Sequence, residues 1–87
     1  MSRLGGDIEG MERLQGQLRQ KGEHVQSLRS ELTNIVQSTY WEGPAANRFK
    51  SEWNGQYSQS LQRLEQLLVD LGQEVQRRKD ALVQVSA

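Results

Sequence analysis

The only proline of this 87-residue chain follows directly after an aromatic–glycine cluster near the middle of the sequence. The cluster is Trp41-Glu42-Gly43, and Pro44 comes next. Proline suits the first turn of a helix because its missing N–H is not needed there, and glycine permits a sharp change of chain direction. The cluster therefore predicts a bend, with a second helical segment beginning at Pro44.

Apolar residues recur at helical spacing on both sides of this bend. The first set, in steps mostly of three and four, is Met11, Leu14, Leu18, Val25, Leu28, Leu32 and Ile35. The second set, which is expected to form one continuous stripe, is Phe49, Trp53, Tyr57, Leu61, Leu64, Leu68, Leu71 and Val75. This period is typical of amphipathic helices, and no segment alternates as a strand would. We predict an all-α chain with helix 1 over about residues 7–39 and helix 2 over about residues 44–83.

Residue types near the helix ends support this division. Asp7 is placed to cap helix 1. Gly43 is expected either to take a positive φ or to permit a close approach of the two helices. Gly22, in helix 1, is a second position where a close approach of the helices would explain a glycine. A connection of only a few residues makes the two helices antiparallel neighbours. The predicted architecture is a single helical hairpin over residues 1–87, with a Trp-x-Gly turn at residues 41–43.

Composition excludes several functional classes. Acidic and basic residues balance at 11 each, so the chain has no overall preference for nucleic acid or for an anionic membrane. Cysteine is absent and His24 is the only histidine, which argues against a disulfide, a metal site or a cofactor site. No grouping of residues suggests catalysis, so the protein is expected not to be an enzyme. The N-terminal residues lack an apolar core, so no cleavable signal peptide is expected.

Both apolar stripes are wider than the seam that two helices need between themselves. The flanks left outside the seam would form a large exposed patch on a monomer. A second hairpin would cover them and complete a four-helix bundle. We therefore predict that the two apolar sets form the core of the hairpin and of a dimer. A homodimer is the default, and a heterodimer with a similar hairpin is physically equivalent.

The position of the Trp-x-Gly tripeptide carries a family resemblance. A short all-helical chain with Trp41-Glu42-Gly43 at a mid-chain bend, followed by Pro44-Ala45-Ala46 and Phe49, resembles the WXG family of early-secretory-antigen-like (ESAT-like) proteins. These are small substrates of bacterial type VII (ESX) secretion systems. The resemblance implies a hairpin dimer that is exported without a cleaved signal, beside a partner of the same kind. It also implies that Trp41 and Gly43 mark the turn and form part of the surface read by the secretion apparatus, including its ATPase.

One feature departs from the family pattern. Many family pairs carry Tyr-x-x-x-Asp/Glu after helix 2 of one partner as a secretion signal. Here Pro44 stands four residues after Tyr40, and Leu61 stands four residues after Tyr57. The chain would therefore require a partner that carries the signal or a homodimer that uses another determinant, or it would have a role other than that of a secreted substrate.

Two other functions remain open from the sequence. The first is an intracellular coiled-coil adaptor whose hairpin binds helices of a larger protein. The second is a membrane-active amphipathic helix, which is disfavoured because the polar face is rich in Gln and has no excess of Lys or Arg. Arg78 falls within the apolar stripe of helix 2, where it would either extend to solvent or pair across a dimer.

Overall fold

The protein folds into two long helical arms joined by a short bend, as seen in a computed structural model that describes residues 5–86. The first arm is α1 (Ile8–Ser38). The second arm consists of α2 (Pro44–Glu52), a single π-helical turn (Trp53–Tyr57, the π-turn) and α3 (Ser58–Ser86). No strand occurs in this part of the chain, so the all-α prediction is confirmed. Residues 1–4, where the absence of a signal peptide was predicted, lie outside the described residues.

The two arms run antiparallel along their whole length. Gln15 Nε2 donates to Gln76 Oε1 over 3.2 Å, and Lys79 Nζ lies 3.7 Å from Glu12 Oε1. The hairpin measures 65 × 18 × 17 Å and has a radius of gyration of 19.5 Å. A compact domain of this length would have a radius of about 12 Å. The predicted helical hairpin is therefore confirmed, and it is a rod rather than a globule.

The seam between the arms is built from two rows of apolar side chains at seven-residue spacing. All of them are half-buried, and they are Met11, Leu18, Val25 and Leu32 from α1, and Leu61, Leu68, Val75 and Leu82 from α3. Gly22 is buried in this seam, where an added Cβ would stand 3.6 Å from Leu68 Cβ. Gly22 is therefore buried between the arms, but close approach does not explain the glycine, because an added methyl group would make only ordinary van der Waals contact.

The π-turn breaks the continuous stripe that the sequence predicted for the second arm. Trp53 lies in the seam, but Tyr57, four residues later, is 43% exposed, and the next half-buried position is Ser58. The seam positions Ala46 and Trp53 are seven residues apart, whereas Trp53 and Leu61 are eight apart. The seven-residue repeat before Trp53 and the one after Leu61 are therefore offset by one extra residue. The π-turn has more residues per turn than an α-helix and accommodates this residue.

Deleting Gly55 is expected to convert the π-turn into α-helix without loss of stability. The deletion brings the step from Trp53 to Leu61 back to seven residues, and it removes a helical glycine that costs ~1 kcal/mol relative to alanine. Deleting exposed Gln66 is the control, because it rotates the seam residues on one side of the deletion by about 100°. Urea unfolding followed by circular dichroism checks both variants. Equal destabilisation by the two deletions would contradict this explanation of the π-turn.

The arm ends differ in detail from the sequence expectations. The second arm extends three residues past the predicted end at residue 83. Asp7 occupies the N-cap position of α1, but its side chain makes no capping hydrogen bond and instead lies 3.4 Å from Arg13. At the other end, Thr39 closes α1, because both its N–H and its hydroxyl donate to the carbonyl oxygen of Ile35, over 3.0 and 2.6 Å.

Candidate functional site: the aromatic bend and the apolar face

Gly43 makes the bend possible through its backbone conformation. It has φ 113° and ψ 174°, a region that is essentially restricted to glycine. An added Cβ would meet no atom within 4 Å, so close approach of the helices is not the reason for glycine here. The carbonyl oxygen of Gly43 accepts from the N–H of Asn47 over 3.0 Å, with Pro44 in the first turn of α2. Of the two sequence explanations for Gly43, the positive φ is confirmed.

Replacing Gly43 with alanine is expected to destabilise the hairpin by roughly 1–3 kcal/mol, because a side chain is strained at this φ and ψ. Glu42→Ala is the control, since Glu42 is exposed and flanks the same turn. Thermal unfolding by circular dichroism measures the difference. Equal melting temperatures for the two variants would show that the bend tolerates a side chain at position 43.

Three exposed aromatic residues lie at or next to the bend and are called here the aromatic bend: Tyr40, Trp41 and Phe49. The rings of Trp41 and Phe49 pack with centroids 5.7 Å apart and planes inclined by 49°. Trp41 nevertheless remains 45% exposed, and Tyr40 is 87% exposed. Trp41 therefore contacts the second arm and still presents much of its surface to solvent.

Trp53 lies behind the aromatic bend and is the most buried large side chain of the described residues, with 9% exposure. Its indole N–H donates to Thr33 Oγ1 over 2.9 Å, and that hydroxyl donates to the carbonyl oxygen of Arg29 over 2.8 Å. These two consecutive hydrogen bonds join the π-turn to α1. The sequence placed Trp53 in the core, but nothing in the apolar pattern pointed to Thr33 as its partner.

An ion pair between the arms lies beside these hydrogen bonds, because Arg29 takes part in both. Arg29 Nε donates to Glu65 Oε2 over 2.6 Å, and Arg29 Nη2 donates to Glu65 Oε1 over 3.3 Å. The hydrogen bond to Glu65 raises the pKa of the Arg29 guanidinium. The two side chains are only 24% and 16% exposed. The pair links the arms in one register, and sequence reasoning missed it because both residues fall between the apolar positions that define the stripes.

The predicted core residues that lie outside the seam share one exposed side of the hairpin, called here the apolar face. Its two rows have seven-residue spacing, each with one cation: Leu14, Lys21, Leu28 and Ile35 on α1, and Tyr57, Leu64, Leu71 and Arg78 on the second arm. The apolar members are 40–59% exposed, as is Phe49 at 40%. The predicted core residues thus divide into a half-buried seam and this exposed face. Their role in a dimer stays a prediction.

The opposite side of the hairpin is polar and grooved. Its grooves are lined by glutamines and charged residues around Gly16, Gly22, Gly72 and Val69. No member of the two rows of the apolar face lines these grooves. The hairpin therefore has two chemically different sides, and only one offers a continuous apolar surface.

Neither a metal site nor a membrane span emerges over residues 5–86. No group of three or more His, Cys, Asp or Glu side chains is arranged to hold a metal ion there. In the same range, no helix combines the length and the apolar character needed to cross a bilayer.

The fold and the bend define a class: an antiparallel helical hairpin with a Trp-x-Gly turn. Residues 6–85 match the sequence model of WXG100, described as "Proteins of 100 residues with WXG", and the chain belongs to this family. The family consists of small proteins associated with type VII secretion, and its members typically pair as hairpin dimers. Searches of curated proteins and of solved structures gave no match.

Proposed function

We propose that this protein is a non-enzymatic substrate of a type VII secretion system, or the chaperone-like partner of one, and that it acts as a folded hairpin dimer. The observation that carries the proposal is the aromatic bend. Trp41 lies at the end of the rod, packed on Phe49 yet 45% exposed. A side chain held in place and still accessible is suited to being read by another protein.

The exposed surface supports a dimer. The chain exposes 6872 Å², whereas a folded monomer of 10.0 kDa is expected to expose about 5200 Å². The excess of roughly 1600 Å² per chain is about twice one partner's share of a standard-size interface. The apolar face is the surface on which such an interface can form, because the opposite side is lined by Gln and charged residues.

Neither Tyr40 nor Tyr57 begins a Tyr-x-x-x-acid pattern, because Pro44 and Leu61 stand at the fourth positions. We expect Trp41 to supply one part of the recognised surface, while the other part comes from a partner chain or from a different determinant in this protein. We expect the type VII secretion ATPase to recognise the aromatic bend. The protein is expected to be made in the cytoplasm and exported folded, without cleavage of a signal peptide.

The test is export of the wild type and of Trp41→Ala from a host with an active type VII system. We expect Trp41→Ala to accumulate in the cell while its helix content and dimer state stay those of the wild type. Glu42→Ala is the matched control, because it changes the neighbouring exposed side chain and should leave export intact. Export of Trp41→Ala at the wild-type level would overturn the recognition role of Trp41.

The same apolar face also fits the alternative of an intracellular adaptor, since it is the side that remains open for another helix. The two functions differ in their dependence on secretion. If the wild type stays in the cell when other substrates of the same system are exported, the adaptor function is favoured.

A further inference from the structure

Lys50 reaches across the bend from α2 and contacts the end of the first arm. Its Nζ donates to the carbonyl oxygen of Thr39 over 3.4 Å. We infer that Lys50 is a positioning residue of the aromatic bend, which closes the connection between the arms and thereby holds Trp41 on Phe49. The consequence for export rests on the proposed function, whereas the order of the Trp41 ring can be measured independently of it.

The C-terminal end of α1 has no cation of its own. The helix ends at Ser38, and its last turn contains no basic residue. The last carbonyl groups of a helix lack partners within the helix and form the negative end of its dipole, where a cation is favourable. Thr39 serves only the carbonyl oxygen of Ile35, through its N–H and its hydroxyl. Lys50 therefore supplies from the second arm the positive charge that the end of α1 lacks.

The side chain of Lys50 is well placed for this contact. Lys50 is half-buried, so its stem packs against the protein while its ammonium group reaches the Thr39 carbonyl. Among residues 5–86 it forms no ion pair, so no carboxylate competes for the ammonium group. Arg48, two residues earlier, is exposed. Two residues correspond to a rotation of about 200° around the helix, so the two cations leave α2 on nearly opposite sides.

The Lys50 contact encloses the aromatic pair. It joins residues that are 11 positions apart, and the contact between Trp41 and Phe49 lies within this segment. Bringing two chain positions together costs conformational entropy. Once Lys50 holds Thr39, the ends of the segment are already close, so the packing of Trp41 on Phe49 costs less. The polar contact and the ring contact therefore stabilise each other.

Burial alone provides little restraint on Trp41. Residues 39–43 lie outside the helices, and Trp41 is 45% exposed. Phe49, against which it packs, is itself 40% exposed. A side chain that is already ordered loses less entropy when a partner binds it. By ordering Trp41, Lys50 is expected to strengthen the binding of a protein that recognises the aromatic bend.

Nuclear magnetic resonance of the two indole N–H groups tests this positioning role. Lys50→Met keeps an unbranched apolar stem and removes the ammonium group. We expect the order parameter of the Trp41 indole N–H to fall by about 0.2, which is close to the difference between rigid and flexible groups. The indole of Trp53, which is hydrogen-bonded to Thr33, is the internal reference and should not change. An unchanged order parameter for Trp41 would overturn the positioning role.

Two further variants separate the Thr39 contact from the charge itself. Arg48→Met removes the same charge from the same helix and should leave the Trp41 order parameter unchanged, because Arg48 is exposed on the other side of α2. Lys50→Arg keeps a cationic donor and should restore the wild-type value. Equal loosening of Trp41 by Arg48→Met and Lys50→Met would contradict the inference. Loosening of both indole groups in Lys50→Met would also contradict it, since that would indicate general destabilisation.

Export of the same variants distinguishes the inference from the proposed function. Ordering one large side chain is worth about two- to tenfold in affinity, so export of Lys50→Met should fall by a similar factor while Arg48→Met behaves as the wild type. If Trp41→Ala is exported normally and Lys50→Met still loosens the Trp41 ring, the positioning role stands and the secretion proposal fails. If Trp41→Ala is retained but Lys50→Met is exported normally with a loosened ring, the secretion proposal stands and the contribution of Lys50 to export is overturned.

Discussion

Replacing Leu64 with aspartate is expected to dissociate the proposed dimer while leaving each hairpin folded. Leu64 lies outside the seam, near the centre of the apolar face, and is 40% exposed in the single chain, so its replacement should destabilise the hairpin less than replacement of a seam residue. In the dimer, the carboxylate would be desolvated against apolar side chains of the partner. An unpaired buried charge costs several kcal/mol, and a dimer contains two of them, so we expect the dissociation constant to rise more than about a hundredfold. Sedimentation and circular dichroism measure the two properties separately.

Val69→Asp is the matched control for this prediction. Val69 belongs to the same helix and is 46% exposed, but it lines the polar grooves on the opposite side. It should remain a dimer with nearly normal stability. Leu68→Asp completes the comparison, because Leu68 is half-buried in the seam and its replacement should unfold the hairpin itself. If Leu64→Asp and Val69→Asp dissociate alike, the interface does not lie on the apolar face.

The hairpin could be predicted from the sequence because its main determinants are local. Helical spacing marks the two arms, and Gly43-Pro44 marks the point where one must end and the other begin. Both signals depend on neighbouring residues alone. The positive φ of Gly43 and the contact of Trp41 with the second arm follow from the same short segment, and the structure has both.

The sequence predicted a seam with exposed flanks, but it did not predict which apolar residues belong to the seam and which to the exposed face. Steps of three and four place Leu14 and Leu18 in one stripe, although Leu18 packs between the arms and Leu14 is 49% exposed. Spacing along one helix does not specify which edge of a stripe meets the neighbouring helix. Only the relative rotation of the two arms, set by pairs such as Gly22 with Leu68, decides it.

The π-turn was missed for a different reason. The regular steps from Phe49 through Trp53 and Tyr57 to Leu61 imitate an uninterrupted helix. The signal that could have revealed it is the eight-residue step from Trp53 to Leu61 between two stretches of seven-residue repeats. The four-residue steps fit a regular helix locally, so the one extra residue between the two heptad registers becomes visible only over several turns.

Replacing Trp53 with alanine is expected to have the largest effect on the stability of the hairpin, and it tests which tryptophan supports the fold. Trp53 is 9% exposed, whereas Trp41 is 45% exposed. Truncating a buried tryptophan costs about 3–5 kcal/mol, which is comparable to the whole stability of a small domain. Trp53→Ala should therefore be largely unfolded at room temperature, and Trp41→Ala should lose only about 1 kcal/mol. Urea unfolding measured by circular dichroism compares them.

Trp53→Phe separates packing from hydrogen bonding. Phenylalanine keeps much of the ring but cannot donate to Thr33 Oγ1, so we expect a loss of about 1–2 kcal/mol, between the effects of the two alanine variants. Thr33→Val should cost a similar amount, and combining it with Trp53→Phe should cost less than the sum because both remove the same bond. If Trp41→Ala proves as destabilising as Trp53→Ala, an export defect of Trp41→Ala would report unfolding. If it stays folded, the same defect would report recognition at the aromatic bend.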